Sequence, residues 1–384
     1  MYNSHLLYSV ALSVLSSPAG TGLYDLMERS VTPEFLYKSL TENSRAVTQP
    51  FVAVRYSPDP LMAAREILAE AEKGQIGVTG YWGSDYPPLL REISHPPVVL
   101  YHHGALDLEP AIAVVGTRKP DHASLKVTER IVSDLVSWGF SIVSGMALGI
   151  DRAAHTSALS GKGRTAGILA NGIDILYPLG NRDLYDRIRS TAGSVLVSEY
   201  PPGIHAGKWT FVRRNRIISG LCPATVVIQA GERSGALITA RYATEQNREV
   251  FACSGHSFDE SYGGCHRLIR NGAHLLAKTA DILVELPPRT EAKGKEEKAG
   301  RGDISEPEPS LPLTGTDCGE GAYPPDSPPY RILKYLGNAE VDIDTVIRNI
   351  GLTTESIHES LVLLELEGRV SRKGNVVSRS GGGK

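Results

Sequence analysis

The sequence predicts an α/β protein built on a doubly wound, mainly parallel sheet. Three observations carry that expectation. From Ala111 onward, short apolar runs alternate with helical stretches: "AIAVVG", "FSIVSG", "TAGILA", "SVLVSE", "ATVVIQA", "EVFACSG" and "AHLLA". Several are rich in β-branched residues and close on Gly or another small residue, the pattern of strands covered on both faces. The chain also has the size and balance of a multidomain globular protein, with 384 residues, 41% of them hydrophobic and 22% charged.

Around that sheet the other elements fall in order. Residues 1 to about 50 read as helices broken at "SSPAGTG", where "AGTGLYDLMER" fits a helix-hairpin-helix turn or a short loop between core helices. Pro60 to Gly74 reads as a further helix, and the Pro-punctuated "DYPPLLREISHPPVVLYHHG" leads into the main domain. Past residue 286 the composition turns to Pro, Gly and charge ("EAKGKEEKAGRGDISEPEP"), which cannot bury enough apolar surface to fold and reads as a linker. Then "YRILKYL", "DIDTVIRNIG" and "TTESIHESLVLLELEG" give three helices, and "RVSRKGNVVSR" gives a hairpin turning at Lys373-Gly374. Three helices and a hairpin predict a winged helix. The expected domains are thus 1–80, 81–286, a linker at 287–328, and 329–384.

Composition excludes several classes. No apolar run reaches the ~18 residues of a membrane span. "HLLYSVALSVLSS" lacks the basic flank and cleavage site of a signal peptide. The four cysteines, Cys222, Cys253, Cys265 and Cys318, show no C-x-x-C spacing, which points to a reduced cytosol and away from a zinc site or disulfide framework. The net charge is −3, but residues 287–329 hold nine acidic and five basic residues, so the remainder is net +1. Local basic sites are therefore compatible with the charge balance.

Four strand ends carry residues suited to phosphate. "AVVGTRKP" presents Gly116, Thr117, Arg118 and Lys119 just before a helix, where free amides and a guanidinium favour anions. It reads equally as an ordinary turn with solvated charges, and it is not a dinucleotide fingerprint, because G-x-G-x-x-G is absent. "VSGMALGIDRAAH" offers Ser144, Gly145 and Gly149. Its Asp151 and His155 share a helical face, as an acid–base or metal pair or as a capping residue and a bonded core histidine. "LANGIDILYPLGNRDLY" supplies a turn at Gly172 and Asp174 and a helix start at Asn181 and Arg182. "QAGERSGALITARYATEQ" places Ser234, Gly235 and Thr239 around a helix start beside Arg233. Together they describe a long polyanion groove at the carboxyl edge of the sheet.

The densest charge lies in "KWTFVRRNRIISG", which reads as a helix opening on that edge. Lys208, Arg213, Arg214 and Arg216 are positive, and no carboxylate lies between Gly203 and Arg216. Arg213 and Arg216 share a face and Arg214 points elsewhere. Charges beside a core must be paired or solvated, so they meet either phosphates or distant acids such as Glu199 and Glu232. Trp209 and Phe211 read as core residues.

In sequence, "YPPLL…PPVVLYHHG", "AVVGTRKP", "SGMALGID", "NGIDILYP", "SEYPPG", "RRNRIISG", "SGALITARYA" and "GGCHRLIRNGA" resemble the DNA-processing protein A family (DprA, also called Smf). The resemblance spans about Tyr86 to Val284. Val212 stands where the family usually has Pro, Cys253-Ser254-Gly255 where "VPG" is common, and His266 where Asn is frequent. The resemblance implies a Rossmann-like domain, a small helical (SAM-like) N-terminal domain and a winged helix. It implies binding rather than catalysis: coating and protecting incoming single-stranded DNA in natural transformation, loading the RecA recombinase, and acting as a homodimer. It places Arg118 and the segment Arg213, Arg214, Asn215 in the strand-binding pocket. The electrostatic part of such binding needs basic residues, with stacking where aromatics are near.

One rival is an enzyme. The fold also resembles nucleotide phosphoribohydrolases whose "PGGxGTxxE" loop carries a Glu for glycosidic cleavage. Three residues past Thr239 this chain has Tyr242, which cannot supply that acid or base. The winged helix is expected to be auxiliary. Glu355, His358 and Glu359 would face outward on its third helix and repel phosphates, while Arg369, Arg372, Lys373 and Arg379 lie on the wing.

Overall fold

The computed structural model describes residues 49–286 continuously, residues 3–15, 24, 27 and 32–41 before them, and 327–379 with short gaps after them. Nine strands form one sheet: β1 (Gly77–Gly80), β2 (Val99–His103), β3 (Ala111–Val115), β4 (Ser141–Ser144), β5 (Thr165–Ile168), β6 (Val195–Ser198), β7 (Ala224–Val227), β8 (Glu249–Ala252) and β9 (His274–Leu275). Their spatial order is β1-β2-β6-β5-β4-β3-β7-β8-β9. Pairing is parallel from β6 through β9, and β1 and β2 add antiparallel at one end. The seven apolar runs of the sequence are β3 to β9. The expectation of a doubly wound, mainly parallel sheet is met.

Alternation within β3 explains the layering. Ile112 and Val114 face a cluster with Ile131, Val132 and Leu135 of the helix His122–Ser137. Ala111, Ala113 and Val115 face the opposite cluster, which also holds Ile217 and Ile218 of the helix Lys208–Gly220. Period-two side chains thus feed two separate cores. The second core runs on without interruption into the N-terminal helices, through Val10, Leu12, Ile67 and Leu68. Tyr56 reinforces that junction, donating its hydroxyl to the Pro202 carbonyl at 2.7 Å.

β1 and β2 belong to the sheet, although the expected boundary after residue 80 runs between them. The helix predicted from Pro60 is present as Pro60–Lys73, capped by Asp59, whose carboxylate accepts the Met62 amide at 2.8 Å, and closed at Gly74. Of "AGTGLYDLMER", only Tyr24 and Met27 are among the described residues. The C-terminal unit has helices Pro328–Leu336 and Ile343–Ile350 and a small sheet of β10 (Glu340–Asp342), β12 (Val376–Arg379) and β11 (Val370–Lys373), in that order. It packs a separate core around Ile332, Val346, Ile357 and Leu364, as a winged helix does. Glu355, His358 and Glu359 lie outside the described residues.

Candidate nucleic-acid interface

Strand order reverses at β3, which has β4 on one side and β7 on the other. In doubly wound sheets this switch point opens a crevice beyond the carboxyl ends of the strands, where ligands bind. The turn after β3 and the loop after β7 line it. The Thr117 amide donates to the Gln229 carbonyl at 2.8 Å, and the Gln229 amide donates to Asp121 at 2.7 Å and to Ser261 at 2.8 Å. Gln229, which the sequence alone does not single out, therefore fixes the "GTRKP" turn from below. Arg118 and Lys119 are left exposed above it.

The loop after β4 is held from three directions. Asp151 accepts the Gly145 and Ala147 amides at 3.1 and 3.3 Å. Asn181 is fully buried and donates to the Met146 and Ala147 carbonyls at 2.8 and 3.3 Å. Arg214 donates to the Gly145 carbonyl and, at 2.6 Å, to that of Ile168. A Cβ on Gly145 would sit inside the Arg214 guanidinium. The glycine that reads as room for a ligand is room for an arginine of the same chain.

Arg214 is 4% exposed. Burial lowers its pKa to about 10, with Asp151 pulling it up and Arg118 pushing it down. It remains charged at neutral pH. Burial likewise raises the Asp151 carboxyl, against the pull of Arg214. His155 lies fully buried with Nδ1 2.7 Å from the Thr165 hydroxyl. That hydroxyl donates to the Ile142 carbonyl at 2.7 Å, so Nδ1 of His155 carries a proton. Burial, with Arg214 nearby, lowers its pKa to about 3. His155 is the bonded core histidine of the second reading, while Asp151 does not cap its helix, whose N-cap is Gly149, but ties down the preceding loop.

The segment "RRNR" divides. Arg216 is 3% exposed and grips Glu199 with both terminal nitrogens, at 2.9 and 2.8 Å, while its Nε donates to the His95 carbonyl at 2.9 Å. Arg213 lies 3.3 Å from the same carboxylate. Burial alone would raise Glu199, but Arg216 and Arg213 hold it below the ordinary value. Of the two partners the sequence allows, a distant acid is the one these arginines take. Asn215 is buried beside them.

The other expected residues divide between inside and surface. Ser144 donates to the Val114 carbonyl at 2.6 Å, and Thr239 is buried in its helix. Gly116 lies against Ile150. Ser234 accepts the Ala236 amide at 3.3 Å, and Gly235 is exposed with open space around it. Lys208 is exposed at the first turn of its helix.

Phe211 and Trp209 depart from the expected core positions. Trp209 is exposed, and Phe211 is only half-buried. The Arg118 guanidinium carbon lies 5.5 Å from the Phe211 ring centre and that of Arg214 6.0 Å. The Tyr177 ring lies 5.6 Å from Phe211. Helical spacing cannot separate a core aromatic from a rim aromatic on so short a segment; tertiary placement decides it. Tyr242, the residue in place of a catalytic Glu, packs with Val212 and Ile238.

Two family models match this chain. The family described as DNA recombination-mediator protein A matches residues 77–287, and the DprA winged helix domain matches residues 320–375. Protein Smf of Synechocystis sp. is 38% identical over 75% of this chain and 76% of its own length. DNA processing protein DprA of Bacillus subtilis is 40% identical, covering 59% of this chain and 76% of its own. The X-ray structure of DprA from Streptococcus pneumoniae superposes with a TM-score of 0.58 at 32% identity, over 75% of this chain and all of that one.

Proposed function

This chain belongs to the DNA recombination-mediator protein A (DprA/Smf) family, and on that premise we propose that it binds single-stranded DNA along the carboxyl edge of its sheet. One observation carries the reading. At the switch-point crevice, an exposed arginine, Arg118, leans on a half-buried aromatic ring, Phe211, with a second, buried positive charge behind it at Arg214. Asp151 offsets only part of that charge, so the site is positive and flat, the combination that suits a phosphate next to an unpaired base.

The contact residues are then Arg118, Lys208 and the turn residues Gly116, Thr117, Ser234 and Gly235. Arg214 and Asn215 act from behind, as support. Arg213, Arg216, Ser144 and Thr239 shape the scaffold. The function is binding rather than nucleotide hydrolysis, since Tyr242 stands in an apolar cluster where the hydrolases need a carboxylate.

Family membership supports the wider role. The chain protects incoming strands in the cytoplasm, acts as a homodimer and loads the RecA recombinase. Among the described residues no helix is long and apolar enough to cross a membrane. The winged helix is auxiliary, so a chain ending at Pro287 keeps most of its single-strand affinity.

A gel shift with single- and double-stranded oligonucleotides of one length tests the binding. Preference for the duplex would sink it. Faster RecA filament nucleation on a strand carrying the protein tests the loading role, and an unchanged rate would remove it. Light scattering tests the dimer, which a monomer at micromolar concentration, with and without DNA, would contradict.

A further inference from the structure

Beside Arg118 and Phe211 lies surface that no charge explains. Leu179 is 71% exposed, Tyr177 46% and Leu148 45%. They come from two loops, after β4 and after β5. The loops meet at Gly180, where an added Cβ would lie 3.5 Å from the Leu148 side chain. The Tyr177 ring in turn lies 5.6 Å from that of Phe211, so this exposed apolar group reaches the Arg118 site. The ridge is also rigid. Asn181 ties the two loops together through the Met146 and Ala147 carbonyls, Arg152 donates to the Gly180 carbonyl and to the Asn181 side chain, and Tyr185 donates to the Tyr177 carbonyl at 2.9 Å. Backbone held this firmly keeps these apolar side chains out in water, and a cluster of exposed apolar side chains marks a binding surface.

We propose that Tyr177, Leu179 and Leu148 form a base-stacking ridge, on which the unpaired bases of a single strand lie while its phosphates follow Arg118 and Lys208. The inference rests on the single-strand reading above and adds what selects the strand. Charge complementarity fixes the occupant: an apolar ridge bordered by exposed cations fits a polymer whose one side is anionic and whose other side is flat and apolar. Bases in a duplex are stacked and paired, so only unpaired ones can reach a ridge. Phosphate contacts alone do not distinguish one strand from two. The ridge therefore supplies the discrimination that Arg118 cannot.

The test uses the full chain and two probes, an oligothymidylate and a strand of equal length with abasic sites throughout. Wild-type protein should bind the thymidylate about tenfold or more tightly than the abasic strand, the scale expected for stacking one base or more. Tyr177→Ala/Leu179→Ser should lose that preference and leave the abasic affinity unchanged. Equal, tight wild-type binding of both strands overturns the ridge and leaves the strand-binding reading standing. A double variant that keeps the wild-type preference overturns it as well. Failure of the wild type to bind either strand overturns the strand-binding reading and the ridge with it. The two wild-type arms need no variant to fold.

Discussion

The Arg214 guanidinium fills the space that a side chain on Gly145 would need. It joins the loop after β4 to the end of β5 through two carbonyls, Gly145 and Ile168. Arg214 therefore acts on the interface from beneath it. Gly145→Ala puts a methyl group into the guanidinium, and Arg214→Ala leaves the Gly145 and Ile168 carbonyls without their donor. Leaving a buried acceptor unsatisfied costs about 1–3 kcal/mol. Both variants should lower the thermal midpoint and the DNA affinity together. A normal midpoint with weakened binding would instead make Arg214 a direct contact.

Glu199 plays the matching role for Arg213 and Arg216. Glu199→Ala should destabilise the fold by about 3–5 kcal/mol in urea unfolding, because Arg216 is left charged and 3% exposed. An unfolding free energy within about 0.5 kcal/mol of wild type would mean that the pair is not formed. The sign of the pH dependence follows from the carboxyl being held below its usual value of 4.5. Its contribution is complete above that value and disappears as the pH falls through the lowered one.

His155 gives a second pH window with its own range. Its ring is neutral in the folded state, with a pKa of about 3 against 6.5 when exposed. Between these values the unfolded chain binds the extra proton, so stability falls as the pH drops from 6.5 toward 3, by up to about 5 kcal/mol in all. His155→Gln should remove that part of the slope. Urea midpoints of wild type and variant, measured from pH 7 to pH 4, check it, and parallel curves would contradict it.

Much of this was legible in the sequence, and the rest was hidden for definable reasons. Strands β3 to β8 read as apolar runs because both their faces are covered, and β9 at the sheet edge reads so from its sequence despite an exposed Leu275. β1 and β2 did not, because "GVTG" carries two glycines and "VLYHH" ends in polar histidines at the antiparallel side of the sheet. Arg118 stood out as a basic residue at a strand end. The partner of Arg216 was named only as one of two acids beside phosphate, because Glu199 lies 17 residues earlier, at the end of β6, and nothing local selects it. "SEYPP" does hold the one signal available, an acid at a strand end just before the basic helix. Tyr177 and Leu179 look like any apolar pair before a turn, and only the tertiary structure shows how exposed they are.

Arg118 is the residue on which the account turns, because it is exposed and its change should leave the fold alone. Fluorescence anisotropy of Arg118→Ala with a single-stranded oligonucleotide, over a series of salt concentrations, is the most direct measurement. A charge-assisted hydrogen bond is worth about 1.5–3 kcal/mol, so affinity should fall about tenfold to a hundredfold. The logarithmic salt slope should shrink by about 0.7 for each phosphate of the single strand that is no longer neutralised, with the thermal midpoint unchanged. Wild-type affinity and an unchanged salt slope in the folded variant would contradict the placement of the strand at this edge of the sheet.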